Sequence, residues 1–147
     1  MLQGSGTVIF FLLLVSVFGC GQRSSGNHPG DGPELGRKFT VERGDEVEVS
    51  GERLEIRFAS VASDSRCPKG AECIQQGCAR ILLRLARAGE NAASVGLNTT
   101  GEGHPSQARY LGYEIKLLDL EPYPRVEDDD EAGKYRATLL VREAHRG

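Results

Sequence analysis

Residues 79–97 read Ala79-Arg80-Ile81-Leu82-Leu83-Arg84-Leu85-Ala86-Arg87-Ala88-Gly89-Glu90-Asn91-Ala92-Ala93-Ser94-Val95-Gly96-Leu97, and the fold class turns on whether they form a helix or a hairpin. Two periods compete. Ile81, Leu82, Leu85 and Ala88 fit a 3.6-residue repeat, and Arg, Leu and Ala favour helix. Ala79, Ile81, Leu83 and Leu85 fit a repeat of two, opposed by Arg80 and Arg84. The turn residues Gly89-Glu90-Asn91 then lead into a second, shorter alternation of Ala93, Val95 and Leu97. A tight turn between two alternating runs points to a hairpin.

The same period spreads outward. Upstream, Leu54, Ile56 and Phe58 alternate with Glu55 and Arg57. Before them, Phe39 with Val41 and Val47 with Val49 are separated by the turn signals Arg43-Gly44-Asp45 and Ser50-Gly51-Glu52. Downstream, Tyr113, Ile115 and Leu117 alternate with Glu114 and Lys116. Tyr135, Ala137, Leu139 and Val141 alternate with Lys134, Arg136, Thr138 and Arg142. A turn-rich stretch over residues 62–77 and a polar loop before Tyr113 interrupt the pattern. No internal repeat is visible. Seven or eight strands in this span predict an all-β domain, an antiparallel β-sandwich or small barrel.

Composition sets the bounds. The chain has 147 residues, 39% hydrophobic, with 18 basic and 21 acidic side chains, four Cys and no Trp. The length fits one domain with one modest core. A net charge of −3 with mixed signs argues against a nucleic-acid binder, which needs an electropositive surface. Arg outnumbers Lys, which reads as genome composition.

Apolar residues concentrate at the start, where three of the five Phe fall within the first 19 positions. Val8 to Phe18 form an apolar run broken only by Ser16. At 1.5 Å per residue it makes about 16 Å of helix, half a bilayer core. That length suits a signal peptide rather than a membrane span. The run ends Val17-Phe18-Gly19-Cys20, which resembles the bacterial lipoprotein box, in which the Cys is lipidated and becomes the new N-terminus. The resemblance implies a signal peptide over residues 1–19, lipidation of Cys20, and a membrane partner held through acyl chains. Gly21 stands where Asp would suggest inner-membrane retention, which favours the outer membrane of the cell envelope. Residues 20–37, rich in Gly and Pro, are expected to be a flexible tether, and residues 38–147 the β-sandwich domain.

The other cysteines are Cys67, Cys73 and Cys78. In an exported protein, thiols this close tend to oxidise. Cys67 and Cys73 enclose Pro68-Lys69-Gly70-Ala71-Glu72, which carries the Pro and Gly needed to turn back. Asp64-Ser65-Arg66-Cys67-Pro68, then Cys73, Gly77 and Ala79 leading into a strand, resembles an uncharacterised family of small bacterial exported lipoproteins. Leu54-Glu55-Ile56-Arg57-Phe58, Leu97-Asn98-Thr99-Thr100, Pro122-Tyr123-Pro124 and Tyr135-Arg136-Ala137-Thr138-Leu139 fit its pattern too. The departures are Gln75 and Gln76, where the family often has Trp and a small residue, and Cys78, where an acid or amide is common. The resemblance implies a Cys67–Cys73 disulfide with Cys78 free. It carries no substrate.

Constellations for chemistry are thin. A nucleophile reading pairs Cys78 with His104, with no elbow or orienting residue in support. Three thiolates and His104 lack the close Cys pair of a zinc site. The run Glu127-Asp128-Asp129-Asp130-Glu131 offers oxygen ligands for calcium but lacks the ligand spacing of an EF-hand loop, and reads as a solvated loop. His28 and His145 fall in a linker and a tail, and Asn98-Thr99-Thr100, a glycosylation sequon, reads as a strand end and turn. No catalytic residue, metal or cofactor is assigned. The expected function is non-catalytic: a monomeric binding or structural module at the envelope, with a protein partner met by the stiffened loop through Arg66, Lys69 and Glu72. The alternatives are a protease-inhibitor-like protein acting through the Cys67–Cys73 loop, and a thiol-dependent enzyme or redox protein using Cys78.

Overall fold

A computed structural model describes residues 32–101, 103, 105–126 and 134–144. The leader, Cys20, His28, His104, the run Glu127 to Glu131 and His145 lie outside the described residues.

Among the described residues eight strands follow one another: β1 (Lys38–Glu42), β2 (Glu46–Val49), β3 (Leu54–Asp64), β4 (Ala79–Arg87), β5 (Ala93–Asn98), β6 (Gln107–Tyr110), β7 (Tyr113–Glu121) and β8 (Arg136–Glu143). They form two antiparallel four-stranded sheets, ordered β1-β8-β7-β6 and β2-β3-β4-β5. The hairpin reading of residues 79–97 is the observed one, with Leu83 opposite Val95 and Leu85 opposite Ala93. The chain changes sheet between β1 and β2 and again between β5 and β6, so the sheets face each other as a sandwich.

Alternation decides what lies between the sheets. Leu54, Ile56 and Phe58 of β3, Ile81, Leu83 and Leu85 of β4, Ile115 of β7, and Leu139 and Val141 of β8 are fully buried. Their polar neighbours point to the outer faces, as a two-residue period requires. Burying each such side chain contributes about 1.5–3 kcal/mol. In β7 the alternation slips by one at a register irregularity between Leu117 and Asp119, so that Leu117 and Leu120 both point inward. Asn98 is buried at the end of β5.

Three differences from the expected layout have physical causes. β6 occupies the presumed polar loop, because Ala108 and Tyr110 put just enough apolar surface inward to pair with Ile115 and Tyr113. β3 runs through to Asp64, three residues into the expected turn region, with register irregularities at Phe58/Ser60 and Val61/Ser63. Residues 32–37, counted with the tether on composition, belong to the body. Leu35 packs against the core, the Gly36 amide donates to the Val141 carbonyl at 2.8 Å, and Ser50 bonds to the carbonyls of Gly32 and Pro33 at 2.6 and 3.0 Å.

Candidate functional site

The segment joining β3 to β4 carries the sequence motif, and its geometry starts at Asp64. Asp64 and Arg66 are two residues apart on an extended chain, so both side chains turn to the same side. Arg66 Nε donates to Asp64 Oδ1 at 2.9 Å and Nη2 to Oδ2 at 2.6 Å, a two-pronged ion pair. The Arg66 amide also donates to Oδ1 at 3.2 Å, and the Tyr135 hydroxyl to Oδ2 at 3.1 Å. The remaining guanidinium capacity crosses to the other sheet. Nη1 donates to the Leu120 carbonyl at 2.6 Å and Nη2 to the Pro122 carbonyl at 2.8 Å. Tyr123 lies beneath the cation, its ring centre 4.8 Å from Cζ.

The pair is nearly dry, with side-chain exposures of 5% for Arg66 and 11% for Asp64. Burial pushes the Asp64 carboxyl up, but the hydrogen bonds and charge of Arg66, helped by Tyr135, outweigh it and hold the group below its ordinary value. Burial likewise lowers the Arg66 guanidinium, and Asp64 more than restores it. Burial and the Asp64 charge raise the Tyr135 phenol. Both ionic partners stay charged, and four side-chain hydrogen bonds from one guanidinium fasten the segment after β3 to Asp64 at that strand's end and to residues 120–122 at the end of β7.

Arg66 was expected on the loop's contact surface. It is instead buried, 6% exposed, and is consumed as a brace. A guanidinium this well paired costs too much to expose. Lys69 and Glu72 are exposed as expected.

Beyond Arg66 the loop closes as a narrow ladder. The Ser65 amide donates to the Cys78 carbonyl at 2.9 Å, and the Cys67 amide to the Gln76 carbonyl at 2.8 Å. Gly77 has φ +62, and a Cβ there would lie 1.8 Å from the Ser65 carbonyl oxygen, so only glycine fits. Cys67 and Cys73 are joined by a disulfide, with Cα atoms 6.0 Å apart. Cys78 is a free, half-buried thiol. The flank of the ring leans on residues 124–126. The Lys69 amide donates to the Pro124 carbonyl at 2.9 Å, the Val126 amide to the Lys69 carbonyl at 3.4 Å, and Lys69 Nζ sits 5.4 Å from the Tyr123 ring centre.

What the loop offers outward is Lys69, Glu72 and a side chain not singled out from the sequence. Ile74 is 104% exposed, and Val126, near Gly70, is 62% exposed. No group of His, Cys, Asp and Glu that could hold a metal ion occurs among the described residues, and no described helix is long and apolar enough to cross a membrane. The chain thus presents a surface loop fixed at its base, across its neck and along one side. Comparison with family models, curated proteins and solved structures returns no match.

Proposed function

We propose that this chain is an exported, lipid-anchored protein of the bacterial cell envelope, with the outer membrane favoured, whose β-sandwich body performs no catalysis and binds another envelope protein through the loop 67–74. The observation that carries the reading is the exposed Ile74 on a loop already immobilised by the Arg66 brace and the Cys67–Cys73 disulfide. A preordered loop loses little conformational freedom on binding, and an exposed apolar side chain framed by Lys69 and Glu72 suits the centre of a small interface with a charged rim. The leader, the box ending at Cys20 and the motif shared with small exported lipoproteins support the location.

The test places a photo-crosslinking residue at position 74 in living cells, with a second at Glu90, in the β4–β5 turn, as the control. A defined adduct from 74 alone, lost with Lys69→Glu, supports the reading. Equal crosslinking from both positions sinks it. Cys20→Ala tests the anchor: acyl labelling should disappear and the protein should leave the membrane fraction. A protease-inhibitor-like role is the second reading, favoured by Ile74 standing free directly after a disulfide-tied ring. Inhibition of one enzyme in a protease panel, abolished by Ile74→Asp with the loop uncut in the parent, would select it.

A further inference from the structure

The outer face of the β1-β8-β7-β6 sheet is divided by charge. Register sets Lys38, Leu140, Lys116 and Gln107 in one row and Arg142, Glu114 and Arg109 in the next. These two rows carry four cations against one carboxylate, with Glu143 beside them at the end of β8, and all four cations are exposed. Arg109 lies 3.8 Å from Glu114, whereas Lys38, Lys116 and Arg142 have no ion-pair partner among the described residues. The other half is acidic, with Glu42, Asp119 and Glu121 against Arg136. The chain enters the body beside the basic half, where Gly36 bonds to Val141, the residue between Leu140 and Arg142.

We propose that this basic half-face docks on the headgroups of an anionic lipid membrane. The charge complementarity stands on its own, and the proximity rests on the lipid-anchor reading above. Residues 20–31 span at most about 40 Å when fully extended, so an anchored domain never leaves the neighbourhood of the surface. At that range a modest attraction acts at high effective concentration. Clusters of four or more Lys and Arg are attracted to anionic leaflets and act within about a Debye length. An acidic protein is the competing occupant, and the test separates it.

The chain has only four lysines, Lys38, Lys69, Lys116 and Lys134, which makes amine footprinting readable residue by residue. The full-length protein from its own membranes is reconstituted in phosphatidylcholine vesicles with or without phosphatidylglycerol, acetylated, and read by mass spectrometry. With the anionic lipid at low salt, Lys38 and Lys116 should react slower by about fivefold, a shift four surface cations can produce. Lys69, beyond the far end of β7, should be unchanged. High salt should remove the protection, and so should Arg109→Glu with Arg142→Glu in a protein whose circular dichroism is native. Equal rates on the two vesicle types overturn the proposal, as does protection that needs an added envelope protein rather than the lipid. The mass of the mature N-terminus reports separately on Cys20. A chain without acyl groups that still shows lipid-dependent protection overturns the anchor and keeps the docking face.

Discussion

Replacing Arg66 by Met isolates the brace. The change removes four side-chain hydrogen bonds and leaves the Asp64 carboxylate, 11% exposed, with the residue 66 amide and the Tyr135 hydroxyl as its donors among the described residues. Removing one partner of a buried pair costs about 3–5 kcal/mol, because the remaining charge is left without compensation. The carbonyls of Leu120 and Pro122 lose donors as well, which places the expected loss near the upper part of that range, about 4 kcal/mol. For a body of this size the melting temperature should fall by roughly 15 °C. Urea unfolding of Arg66→Met, Asp64→Leu and the double variant then measures the coupling. The double variant should be less destabilised than the sum of the singles by about 2–3 kcal/mol, since two apolar side chains leave no stranded charge. The pH dependence has a fixed sign. The Asp64 carboxyl lies below its ordinary value of 3.8 when folded, so its contribution is complete above that value and is lost as pH falls through the folded value. Stability measured downward from pH 5 should therefore drop less steeply in Asp64→Leu than in the parent. Additive single effects, with coupling under about 0.5 kcal/mol, would refute the brace.

Three further outcomes follow from the same geometry. Gly77→Ala sets a Cβ 1.8 Å from the Ser65 carbonyl at φ +62, and should cost more than about 2 kcal/mol in urea unfolding, with faster amide exchange over residues 65–78. The β6–β7 turn places Leu111 at φ 46 and Gly112 at φ 85, a two-residue turn with both central residues left-handed, so Leu111→Asn should raise stability by about 0.5–1 kcal/mol. Replacing Cys67 and Cys73 by Ser opens a ring of seven residues and should cost about 2 kcal/mol, with reductant then having no further effect on the variant.

Long alternating runs were legible because burial on one face enforces a two-residue period. β3, β4, β7 and β8 announce themselves in this way, and even the ambiguous run at Ile81 resolves through its turn. β6 was hidden because only Ala108 and Tyr110 face inward, and a strand that short exists by pairing with β7 rather than by its own composition. Arg66 was misplaced because a charged side chain in a loop reads as solvent-exposed. Nothing local reveals that two carbonyls and a ring from residues 120–123 wait for it. One signal was present: Asp and Arg at i and i+2 at a strand end share a face and form an ion pair across it. Ile74 was missed for the opposite reason, since an apolar residue reads as interior, whereas here the ladder of Ser65 to Cys78 and Cys67 to Gln76 carries it past the edge of the core.

The brace and the charged face constrain one another through β7. This strand carries Lys116 as its fourth residue, while Leu120 near its end and Pro122 just past it supply the carbonyls that hold Arg66. Four to six residues at about 3.3 Å each set Lys116 roughly 13–20 Å from those carbonyls. If the basic half meets an anionic surface, the acidic half containing Glu42, Asp119 and Glu121 is repelled from it, and the body tilts with the end of β7 away from the lipid. The same tilt carries the loop 67–74 outward and keeps Ile74 out of the bilayer. Shifting the charge balance should then move both ends at once. Asp119→Lys with Glu121→Lys would flatten the body onto anionic vesicles, and a fluorophore at position 74 should then be quenched by headgroup-located quenchers in the variant but not in the parent. Quenching in the parent would make Ile74 a membrane-inserting side chain and remove it as a protein contact.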